Sequence, residues 1–138
     1  MHNIVNKLVS IQKEIQKKSN TTKVIAVSKT FSMNEILPLI NHGHKDFGEN
    51  KIQEAVEKWT SIKDDFVDIN LHMVGKVQTN KVKFVVKLFD FIHSLDNLKL
   101  AQKISNEQKK YKKDLKIFIQ VNIGNEKQKS GISPNEVE

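Results

Sequence analysis

"KVIAVSKTFSM" (residues 23–33) decides between two folds. Val24, Ile25, Ala26 and Val27 form a short apolar run bounded by polar residues, which reads as a buried strand over 23–29. Ser32 followed by Glu35 makes a capping box, so a helix begins a few residues later. In a doubly wound dinucleotide-binding sheet, the turn between such a strand and helix carries a glycine-rich phosphate loop. The turn here, "SKTFSM", has no glycine. That favours the other architecture made of parallel strands and helical crossovers, the (β/α)8 TIM-type barrel.

The rest of the chain repeats the same unit. Ile4, Leu8, Ile11 and Ile15 fall at helical spacing and predict an opening helix over 3–18. Met33, Ile36, Leu37 and Ile40 form the stripe of the next helix, which Pro38 is expected to kink or shorten, with Gly43 as its stop. "KDFGEN" (45–50) reads as a strand and loop, and Ile52, Ala55, Val56 and Trp59 as a helix. "DINLHMVG" (68–75) is a third strand. Val82, Val85, Val86 and Phe89 mark a helix around 79–89, and "FIHSLD" (91–96) a fourth strand. Leu98, Ala101 and Ile104 continue at helical spacing to about Lys112. "LKIFIQVNI" (115–123) is the fifth strand. After a polar loop, Ser133 and Pro134 open a further helix. Units of this size imply parallel strands with helical crossovers.

Composition narrows the classes. With 38% hydrophobic and 28% charged residues, the 138-residue chain reads as one soluble globular domain, 1–138. No apolar run approaches the roughly 20 residues that span a bilayer. The interrupted N-terminus is not a signal peptide. The absence of cysteine excludes disulfides, thiolate metal sites and cysteine nucleophiles, and fits a cytoplasmic location. The net charge of +7 attracts polyanions. Its densest run, "KKYKKDLK" (109–116), reads as a solvated helix end, and no nucleic-acid motif accompanies it.

In barrels of this kind the loops after the strands' C-terminal ends build the site. The residues there are Lys29, "GEN" (48–50), His72 with Gly75, His93 with Ser94 and Asp96, and Asn122. Polar side chains gather at one rim of an apolar core. His93 and Ser94 are expected to point to opposite faces, with His93 in a structural role. Asn50 is either a helix cap or a site residue. His42 and His44 lie at a helix end, where they serve as stop and dipole partners. Lys29 shares a strand face with Ile25 and Val27, which aims it into the barrel mouth. It is either a solvated end-cap or an amine whose pKa falls by desolvation, and so a nucleophile toward aldehydes.

Five motifs in register carry a resemblance: "VIAVSKT" (24–30), "DFGENKIQEA" (46–55), "LHMVGKVQTNKVK" (71–83), "FIHSLDNLKLAQKI" (91–104) and "IFIQVNIGNEKQKSGI" (117–132). Together they resemble the pyridoxal 5′-phosphate (PLP) homeostasis proteins, related to the N-terminal barrel domain of alanine racemase. The resemblance runs from about Lys23 to the last residue. It implies a PLP-binding barrel in which Lys29 forms the Schiff base, with Asn50, His72, Ser94 and Asn122 lining the pocket. Lys129, Ser130 and Gly131 match the family's "KSG" loop at the same rim.

A complete barrel of this type takes about 250 residues and eight strands. The chain is therefore expected to be the N-terminal part, ending after strand five, without the phosphate loops that follow strands seven and eight. The resemblance implies buffering or delivery of PLP, with effects on amino-acid and keto-acid balance. PLP-dependent apoenzymes are the implied recipients, with no nucleic-acid or membrane partner. The alternative is a PLP-dependent amino-acid racemase, which needs a base on each face of the substrate carbon. The one tyrosine, Tyr111, lies on a helix far from the strand rim.

Overall fold

The strand–helix alternation expected from the sequence is present in order. The computed structural model describes residues 2–137. Helix α1 (Asn3–Gln16) leads to β1 (Ala26–Val27), α2 (Met33–Asn41), β2 (Asp46–Glu49) and α3 (Ile52–Asp65). Then come β3 (Asn70–Met73), a 3-10 turn (Thr79–Lys81), α4 (Val82–Leu88), β4 (Phe91–Leu95), α5 (Leu98–Tyr111) and β5 (Lys116–Ile119).

The five strands form one parallel sheet in the order β1-β2-β3-β4-β5. Parallel crossovers share one hand. A strand order that never reverses therefore puts every connecting helix on the same face, which is the barrel plan rather than the doubly wound one. Five (β/α)-type strands make this a partial barrel wall.

The core lies between that face and the helices. Phe47, Leu71, Met73 and Ile92 from the strands are fully buried, as are Trp59 on α3 and Val82, Val85 and Val86 on α4. The Phe47 and Trp59 rings pack with centroids 5.0 Å apart. Below this core, at the strand N-terminal ends, Asp90 ties the elements together. Its carboxylate accepts from Lys63 Nζ at 2.7 Å and from the Leu71 amide at 2.8 Å.

The boundaries differ from expectation in explicable ways. Strand β1 is paired over two residues rather than seven, because it has a neighbour on one side only. Pro38 is accommodated inside α2, which runs on to Asn41 and stops as expected at Gly43, at φ 100° with the His44 amide donating to Leu39 O. The helix expected over 79–89 begins as a 3-10 turn. Past β5 the chain folds back, with Asn122 N–H donating to Ile132 O and Ile132 N–H to Gln120 O. The helix expected from Ser133 is a single 3-10 turn, Pro134–Glu136. The lysine run at 109–116 is a helix end, as read: Lys112 takes the left-handed C-cap of α5.

Candidate functional site

The inner face of the sheet, opposite the helices, carries a line of polar side chains across β2, β3 and β4. Strand alternation puts Asp46 on β2, His72 on β3 and His93 on β4 on this side. They form a chain. Asp46 Oδ1 lies 2.9 Å from His72 Nε2, and His72 Nδ1 lies 2.9 Å from His93 Nε2. Phe91 stacks on His72 with centroids 4.1 Å apart, and Phe118 stacks on His93 at 4.6 Å. The Asp46 carboxylate accepts the hydrogen bond from His72 Nε2–H; in the neutral imidazole this makes His72 Nδ1 the acceptor and His93 Nε2 the donor. Burial holds the His93 pKa below its ordinary value, and the neighbouring His72 lowers it further. Both nitrogens of His72 are engaged, which leaves His93 Nδ1 without a hydrogen bond among the described residues.

Strand β4 departs from simple alternation. Ile92 pairs with Ile117 and Leu95 with Ile119, so three steps on β4 match two on β5. Ile92 is buried in the helix-side core, and Leu95 lines a cavity with Ala101 and Ile104 of α5. The surplus residue of this bulge falls at His93 and Ser94, whose burial still alternates: His93 is half-buried on the inner face and Ser94 is buried. The buried Ser94 hydroxyl donates to Gly75 O at 2.6 Å.

The rim above is built of close backbone contacts. A Cβ on Gly75 would collide with the backbone of Asn50, so glycine there lets the turns after β2 and β3 touch. Asn50, Gly75 and Ser94 thus form one contiguous group. Asn122 closes the loop beyond β5: its Nδ2 donates to Glu126 O at 2.6 Å and its Oδ1 accepts from Glu126 N–H at 3.1 Å. Gly131, at φ +114°, passes so close to the Asn122 backbone that a Cβ there would lie 2.9 Å from Asn122 N, and its amide donates to Asp96 Oδ2 at 3.1 Å. The Lys129–Gly131 segment is therefore fixed to the end of β4, while Lys129 itself is exposed.

Lys29 stands in the turn after β1, on the side of Val27, because Ser28 turns the other way onto Glu49. The dry surroundings expected for it are not found: Lys29 is exposed, and Val27 beside it is 50% exposed. The cause is the free side of β1, which leaves this end of the inner face open to water.

A second polar cluster lies directly behind Lys29, on the helix side. Glu49 is fully buried and accepts from Ser28 Oγ and from Trp59 Nε1 at 3.1 Å. Lys58 of α3, with a side chain 12% exposed, lies 2.9 Å from Glu49 and 3.0 Å from Glu54. Hydrogen bonds from Lys58 and from the Thr30 amide hold the Glu54 pKa below its ordinary value. Sequence reading took Glu49 in with "GEN" (48–50) but gave it no partner, and missed Lys58 and Asp46. The available signals were a glutamate inside an otherwise apolar strand and the i, i+4 spacing of Glu54 and Lys58.

A family model described as alanine racemase, N-terminal domain, matches residues 4–138. The chain belongs to this family. Among curated relatives within reach of this barrel family, the pyridoxal phosphate homeostasis protein of Haemophilus influenzae is 37% identical over 134 residues, covering 97% of this chain and 56% of that protein. The protein of the same name from Pasteurella multocida is 37% identical, covering 97% and 60%. Among solved structures, PipY of Synechococcus elongatus with PLP bound matches with a TM-score of 0.86 at 30% identity, over 96% of this chain and 59% of PipY. Its form without PLP gives 0.88 at 31% identity, over 96% and 60%. The chain thus spans a little over half the length of these racemase-domain relatives.

Proposed function

We propose that this chain is the lysine-bearing part of a single barrel domain that binds PLP reversibly, as a carrier or buffer rather than a catalyst. The observation that carries the reading is the place of Lys29: a free amine at the C-terminal end of β1, on the inner side of the sheet, in a turn fixed from behind. The names of the relatives, pyridoxal phosphate homeostasis protein, and the PLP bound by PipY support it.

The donor set fits the ring end of this cofactor. When bound, PLP supplies an aldehyde, which condenses with a primary amine with loss of water. Lys29 offers the amine. Asn50 and Ser94 stand at the ends of β2 and β4, Gly75 between them lets the loops close up beneath a ligand, and Asn122, its side chain spent on Glu126, shapes the rim beyond β5. His72, fully hydrogen-bonded one layer below, serves as support rather than as a direct contact. The phosphate end has less: no arginine occurs in the sequence, and Lys129 is exposed. Binding by this chain alone is accordingly weak, and a sub-micromolar affinity would contradict the reading.

The racemase reading is not favoured. Tyr111 ends α5, whose direction carries it to the rim opposite Lys29. The PLP-dependent apoenzymes of the cell are the proposed recipients. No helix among the described residues is long and apolar enough to cross a membrane.

Incubation with PLP, borohydride reduction and peptide mapping test the proposal. Lys29→Ala is expected to abolish labelling at this position with a stability change within about 1 kcal/mol, because the side chain is exposed. Labelling centred on Lys129 instead would move the attachment point.

A further inference from the structure

The turn that carries Lys29 is strained, and the strain is held by α3. Phe31 N–H donates to Ser28 O at 3.2 Å, closing a four-residue turn with Lys29 and Thr30 at its centre. Thr30 has φ 68°, in the left-handed region. A positive φ at the third residue marks a type II turn, where glycine is the usual occupant. A β-branched residue there is a conformational outlier. Relaxation to negative φ would flip the Lys29–Thr30 peptide, the difference between type II and type I turns.

One contact opposes that flip directly, and two more hold the ends of the turn. The Thr30 amide donates to Glu54 Oε2 at 2.7 Å. Lys58 Nζ donates to Ser28 O at 2.8 Å and to Phe31 O at 2.9 Å, so it bridges the two ends of the turn. Lys58 is in turn fixed by Glu49, which the Trp59 indole and Ser28 hydroxyl hold in the core. The flip would carry the Thr30 N–H away from Glu54 and leave that carboxylate with Lys58 alone. A carboxylate that accepts one particular amide therefore selects one orientation of one peptide, next to the reactive amine.

We propose that Glu54, backed by Lys58, is a positioning residue for Lys29: it holds Thr30 left-handed and so fixes the turn in the form that presents the amine to an aldehyde. This rests on the attachment reading above and extends it from the lysine to the clamp behind it.

The test uses the full chain with PLP and borohydride, reading the yield of label at Lys29, and amide hydrogen exchange at Thr30 in the cofactor-free chain. Glu54→Ala is expected to lower the label about tenfold, the loss of one charge-assisted hydrogen bond, and to speed exchange at Thr30. Adding Thr30→Gly is expected to restore most of the label, because glycine adopts positive φ without strain; adding Thr30→Ala is not. Glu54→Gln, nearly isosteric, keeps an acceptor and falls between, which covers any folding defect of the alanine variant. Label on Glu54→Ala equal to the unsubstituted chain, or no difference between the glycine and alanine rescues, overturns the clamp alone. No label at Lys29 in the unsubstituted chain overturns the attachment reading itself, and Thr30 exchange unchanged by Glu54→Ala overturns the clamp in that case too.

Discussion

The two faces of one sheet differ in what they are for. On the helix side Phe47, Leu71, Met73 and Ile92 are wholly buried, and the buried Glu49 has one carboxylate oxygen held by Ser28, Trp59 and Lys58 while its other oxygen has no hydrogen-bond partner among the described residues. On the inner side Val27 and Phe118 are half exposed, and the polar groups form an open chain ending at His93 Nδ1. The same strands supply both, because alternate residues face opposite ways. The outer face is where the fold's free energy resides. The inner face and its rim are where groups remain free to act.

Substitutions on the outer face test that division most severely. Trp59→Ala removes a fully buried indole and is expected to cost about 3–5 kcal/mol in denaturant unfolding. Phe118→Ala on the inner face is expected to cost roughly 1 kcal/mol, since half of that ring is already in water. Equal costs would erase the distinction. Lys58→Met comes next: it leaves Glu49 buried without its cation and is expected to cost about 3 kcal/mol.

The inner face is expected to show itself in pH dependence. His93 has a folded pKa below the unfolded one, because burial disfavours its charged form. Such a group stabilises the fold fully above the unfolded value of about 6.5, and that contribution is lost as pH falls toward the folded pKa. Thermal melts are therefore expected to drop below about pH 6.5. His44, whose pKa burial also lowers, acts in the same direction. His93→Gln is expected to flatten part of the slope, and an unchanged slope would assign it to His44. The smallest effect lies off both faces. Lys112 caps α5 at φ 50°, and Lys112→Gly is expected to stabilise by roughly 0.5–1 kcal/mol, a baseline for the other variants.

Much of this was legible in the sequence. Apolar spacing located every helix and strand, because each buries one side against the same core. The absence of glycine from "SKTFSM" separated the two parallel architectures. Reading the ends of the strands placed Lys29, Asn50, Ser94 and Asn122 at one rim, and their role toward a cofactor is the proposal made above. What escaped depends on contacts between distant segments. Glu49 is tolerable in the core only because α3 brings Lys58 and Trp59 against it. The exposure of Lys29 depends on what flanks β1. His72 is a plausible ligand by type, yet Asp46 and His93 occupy both of its nitrogens. The bulge in β4 follows from its pairing with β5, which single-strand alternation does not contain.

That bulge has a consequence for how the molecule tolerates length changes. By fitting one surplus residue into β4, it resets the phase of the strand, so that everything before and after obeys the same rule with the count shifted by one. Deleting either His93 or Ser94 would remove the surplus residue and restore plain alternation, with Ile92 and Leu95 keeping their helix-side places opposite Ile117 and Ile119 and Asp96 keeping its hold on the Gly131 amide. A shortening by one residue here would therefore leave the contact 35 positions downstream in place, whereas the same deletion in an unbulged strand would reverse the facing of everything after it.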